Sequence, residues 1–207
     1  MSYSNLIRLG GLAAMVGGVV YAGVGLLEEH LAEELVYIGN IGYRFIVVSL
    51  PLGAIAAIVA LYALHRDRYG RAGAVLCLTA VLGLALATGA LTLRVLATYP
   101  IYAFPDLGLW SALIVLGLLV ATAGMVLLGS LSVAWRILPP WCGIALMVGS
   151  PLGVLLTMIA SEALAALAGG SALGRAFQAL GGVPCAVVGY YIFRAAGQRT
   201  ERPARVR

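Results

Sequence analysis

Six apolar runs separated by short polar connectors decide what this chain can fold into. They cover approximately residues 6–27, 41–64, 72–97, 108–131, 142–166 and 174–195. Each holds roughly the 20 residues needed to cross a hydrocarbon core about 30 Å thick. Backbone amides find no water inside that core, so a spanning segment must satisfy them internally. None of the runs alternates apolar and polar residues as a barrel strand would. The expected fold is all-α: a polytopic bundle of six transmembrane helices, with residues 1–196 forming one domain.

Composition leaves no room for a second, water-facing domain. Charged residues make up 10% of the chain, against about a quarter in soluble domains. The first run exceeds a usual signal core, and no small-x-small cleavage site precedes the acidic connector. It is expected to be a retained helix. The last stretch, 197–207, is polar, rich in Arg and interrupted by Pro203. A disordered tail drawn to anionic headgroups is expected there.

Charge placement gives the orientation. All 13 basic residues are Arg, so chemistry that needs a Lys, such as a Schiff base, is excluded. Arg8, the Arg66, Arg68 and Arg71 connector, Arg136, and the tail from Arg194 to Arg207 fall on one side. The opposite connectors hold Glu28, Glu29, Glu33 and Glu34, and among basic residues only Arg175. The positive-inside rule then places both termini in the cytoplasm and makes the plasma membrane the expected location. No basic face is expected outside the tail, so the bilayer is the expected partner and nucleic acid is not.

Aromatic residues repeat this division, as interfacial anchors should. Tyr37, Tyr43, Tyr99, Tyr102, Phe104 and Trp110 mark the outer level; Tyr62, Tyr69, Trp135, Trp141, Tyr190 and Tyr191 mark the inner one. Small residues recur at helical spacing within the runs: Gly10, Ala14, Gly18 and Ala22; Thr79, Gly83 and Ala87; Gly117 and Ala121. Such rows let two backbones approach closely. Internal helix contacts are the first expectation, and contact with a second copy or another membrane protein is the second.

Pro51, Pro151 and Pro184 lie inside runs. Each removes a backbone hydrogen bond and is expected to kink its helix. Cys77, Cys142 and Cys185 form no C-x-x-C pair and read as small buried hydrophobes. Two internal repeats compete. One reuses the first hairpin, setting Gly11–Gly17 on Gly143–Gly149; the other shifts the chain by one hundred residues, setting Pro51 on Pro151 and Gly17 on Gly117. The second would relate inverted three-helix halves, as in many secondary transporters.

Three charges enter the runs near their outer ends: Arg44, Arg94 and Glu162. Ionisable groups in membrane spans are functional candidates. One reading pairs Glu162 with Arg94 or Arg44 to tie helices together. The other makes Arg44 and Arg94 a cradle for a small anionic solute, with Glu162 and Glu29 as counter-charges or proton acceptors.

No catalytic motif accompanies them, so enzyme activity is not expected. Glu28-Glu29 opens like the Glu-Glu-x-x-x-Arg motif of intramembrane CaaX-type proteases, but Glu33 stands where Arg is required. His30 and His65 fall on opposite sides and cannot share a metal. No metal or cofactor is expected. Two functions remain: a small solute carrier or channel-like protein with an outward charged cleft, or a non-transporting partner, sensor or assembly subunit. Transport requires midplane groups such as Ser49, Thr88, Thr122, Ser150 and Thr157 to face one polar cavity. A dry midplane argues for the second.

Overall fold

A computed structural model describes residues 3–34, 38–97, 107–148 and 171–201, with side-chain surroundings defined for 3–23, 51–93, 108–148 and 182–198. The helices are α1 (Tyr3–Glu34), α2 (Ile38–Ala97), α3 (Leu107–Ala134), α4 (Pro140–Val148) and α5 (Ser171–Glu201). Among the described residues only 135–139 lie outside helix.

A straight helix of α2's 60 residues would run about 90 Å. It reverses instead. His65 and Gly70 leave helical geometry, and Gly70 takes φ +55°, a value that glycine reaches without Cβ strain. The two arms then fold back on each other: the Cys77 thiol donates to the Ile58 carbonyl at 3.8 Å. The α3–α4 corner is built differently. Ile137 N–H reaches the Ser132 carbonyl and Arg136 N–H reaches Val133, a Schellman pattern whose left-handed position usually carries glycine. Here Arg136 occupies it, at φ 51°. Pro140 then opens α4, where a missing N–H costs nothing.

The helices close a ring. α1 packs between α5 and the first arm of α2, the second arm packs on α3, α3 on α4, and α4 on α5. Glycine sets the closest approaches. A Cβ on Gly18 would lie 2.5 Å from the Gly182 carbonyl, and one on Gly11 2.8 Å from that of Gly189. Gly83 meets Gly117 and Ala121 in the same way, and Gly10 meets Ala56 and Ala60. The expected small-residue rows thus make internal contacts, because lipid offers no hydrophobic gain and close packing must hold helices together. Gly18 faces Gly182 and Gly83 faces Gly117. One displacement of 99 residues (18 to 117, 83 to 182) converts the first pair into the second. That is one residue from the hundred-residue shift seen in the sequence.

Three helices among the described residues are long and apolar enough to cross a membrane: Tyr3–Gly23, Pro51–Leu93 and Gly108–Ala134. Six spans were expected, and the difference has local causes. Pro51–Leu93 contains the reversal at His65–Gly70, so it holds two antiparallel arms. Most of the fifth run, 149–170, lies outside the described residues, and the side chains of α5 are described only for 182–198. The outer surface agrees with a membrane setting. Val75, Leu78 and Leu82 on α2 and Leu116 and Leu119 on α3 are each more than half exposed, an apolar belt that a water-soluble monomer rarely shows.

Candidate functional site

The polar chemistry of the described residues gathers at one end of the ring, where the chain turns and where the connector arginines fall. His65 closes the first arm of α2, Tyr69 sits in the reversal, Ser132 lies on the last turn of α3, Trp141 opens α4, and Tyr191 approaches from α5. Tyr69 and Ser132 are fully buried. Their oxygens lie 2.7 Å apart, and the Ser132 hydroxyl also donates to the Leu128 carbonyl at 2.6 Å. A serine has one hydroxyl proton. Ser132 spends it on Leu128, so Tyr69 is the donor and Ser132 the acceptor between them.

The rings continue this network sideways. His65 Nε2 lies 3.2 Å from the Tyr191 hydroxyl, and the two rings stack with centroids 6.1 Å apart. Tyr69 meets His65 edge-on at 6.3 Å and stacks beside Tyr62 at 6.4 Å. Trp141 meets Tyr191 edge-on at 6.0 Å. Such aromatic pairs are each worth about 0.5–1.5 kcal/mol beyond buried area. One cluster therefore joins the ends of both α2 arms, α3, α4 and α5. α1 joins separately: the Tyr3 hydroxyl donates to the Ala63 carbonyl at 3.4 Å, and the Arg8 guanidinium lies 4.9 Å from the Phe193 ring centre.

Around it, Arg66, Arg68, Arg71, Arg136 and Arg194 are exposed. The sequence reading placed no basic face outside the tail; folding gathers these connector arginines at one end and makes one. Of the inner-level aromatics, Tyr62, Tyr69, Trp141 and Tyr191 enter the cluster, while Trp135 and Tyr190 are half exposed. Reasoning from sequence missed His65 and Ser132. Their signal was a polar residue at the inner end of an apolar run, which spacing alone does not separate from a solvated connector.

The chemistry of the cluster is connective. Ser132 donates to the Leu128 carbonyl and accepts from Tyr69, so the pair ties α3 to the α2 reversal. No family model, curated protein or solved structure matches this chain. Its reading rests on geometry.

The charges singled out in the sequence lie elsewhere. Glu29 falls on α1, and Arg44 and Arg94 on α2, with their side chains beyond the described surroundings; Glu162 lies outside the described residues. Pro51 and Pro184 sit within α2 and α5. Pro151 lies outside the described residues. Of the midplane hydroxyls, Thr88 donates to Leu84 at 2.6 Å and Thr122 to Leu118 at 2.7 Å, each on its own helix; the Ser49 side chain, Ser150 and Thr157 lie outside the described residues. The seam where the ring meets itself is apolar, lined by Ala54, Ala57, Ile58, Met125, Pro184 and Cys185, with a cavity of only about 10 Å³.

Proposed function

We propose that this chain is a six-span protein of the plasma membrane, with both termini cytoplasmic, that acts as a non-transporting partner, sensor or assembly subunit. The observation carrying this reading is the midplane. Thr88 and Thr122 satisfy their hydroxyls on their own helices, and the central seam presents carbon and Cys185, whose thiol donates to the Ala14 carbonyl at 3.4 Å. Among the described residues a hydrated solute would find no polar lining there to replace its water, and unpaired polar groups in hydrocarbon cost several kcal/mol each. The arginine-bearing end, held by the aromatic cluster, is the face offered to a cytoplasmic partner.

A second reading, a small carrier of anionic solutes, draws support from the repeated glycine register, because inverted halves are a common carrier design. Arg44, Arg94, Glu162 and Glu29 would line its outer entrance. One experiment separates the two. Proteoliposomes containing the pure protein, loaded with chloride or phosphate, should release anion no faster than protein-free vesicles. Release that Arg94→Gln abolishes in a folded protein would replace the partner reading with the carrier.

A further inference from the structure

We infer that the groove between α1 and α5 is a binding site for one anionic phospholipid, with an acyl chain in the groove and the phosphate on Arg194. This rests on the membrane setting but not on either reading of transport. The groove exists because small residues line its floor. Gly18 and Ala22 on α1 and Ala186 on α5 leave a recess of about 660 Å³, walled by Met15, Val187 and Tyr190 and reaching Trp141. Among the described residues its far end is open: a Cβ added to Gly23 would meet none of them within 4 Å. On the second arm of α2, by contrast, Val75, Leu78 and Leu82 are each more than half exposed.

Length and polarity match the occupant. From Tyr190 to Val183 the α5 wall rises about 10 Å at 1.5 Å per residue, within the roughly 15 Å depth of the leaflet on the arginine side. Trp141 and Tyr190, both half exposed, stand at the end nearer the arginines, where amphipathic rings mark the headgroup level. Arg194 follows Tyr190 by four residues on α5 and is exposed, so it stands on the same helix face one turn further out. A guanidinium there meets the phosphate of a lipid whose chain fills the recess, and its planar fork suits that oxyanion. The surrounding Arg66, Arg68, Arg71 and Arg136 favour a headgroup with net negative charge over a zwitterion.

Trp141 reports on the site directly. In a protein carrying Trp110→Phe and Trp135→Phe, phosphatidylglycerol with brominated chains should quench Trp141 at a mole fraction about fivefold lower than brominated phosphatidylcholine does. Gly23→Leu fills the recess without touching the glycine contacts and should abolish the saturable quenching. Arg194→Gln should make the two lipids equal. Identical quenching by both lipids in the starting protein, or unchanged quenching after Gly23→Leu, overturns the site. Native mass spectrometry of the unaltered protein reads the same point without tryptophan changes: one retained phosphatidylglycerol is expected, and none after Gly23→Leu. A dimer dispersed by Gly23→Leu would give the groove to a second copy and overturn the lipid. Failure to insert into vesicles at all would instead remove the membrane reading.

Discussion

Tyr69 and Ser132 show how much a single proton decides. Because Ser132 donates to Leu128, the Tyr69 hydroxyl can only give its hydrogen to Ser132. Tyr69→Phe removes that donor and should lower stability by about 1–2 kcal/mol, read as a shifted midpoint in detergent unfolding. Ser132→Ala should cost more, since it strands the buried Tyr69 hydroxyl. The double variant should cost less than the two single effects together, as groups in one network do. The inner aromatics were legible as anchors from their positions at run ends. Their assembly was not. His65 and Tyr191 stand 126 residues apart, and nothing local in either segment names the other.

At the scale of the helix, glycine position decides more than glycine number. A Cβ on Gly182 would fall against the Gly18 carbonyl, whereas one on Gly89 meets nothing within 4 Å. Gly182→Leu should therefore separate α1 from α5 and cost about 1–3 kcal/mol or more through overpacking. Gly89→Leu should stay within about 0.5 kcal/mol. Thermal midpoints of the two purified variants, measured side by side, check both. The rows of Gly and Ala were visible in the sequence because helical spacing is local. Their partners were not, since a row of small residues states that a backbone approaches without saying which one. The α2 reversal was marked by the charged connector from His65 to Arg71, but its geometry depends on Gly70 taking positive φ.

For the whole molecule, Tyr3 against Ala63, Arg8 against Phe193, and Trp141 against Tyr191 bring the start of α1, both turns and the late part of α5 to one end. That end carries Arg8, Arg66, Arg68, Arg71, Arg136 and Arg194, so the asymmetry read along the sequence becomes an asymmetry in space. A reporter that fluoresces only in the cytoplasm should light when fused after residue 201 or within 135–139. A periplasmic-type reporter fused within 98–106 should be active; the reverse pattern would invert the proposed orientation. Chain order adds a consequence in time. α1 is synthesised first, yet Gly18 meets its closest partner only when Gly182 has been made, 164 residues later (182 less 18). At 5–20 residues per second, that interval is roughly 8–33 s. Throughout it, the α5-facing side of the newborn first helix has only lipid or the insertion machinery for company.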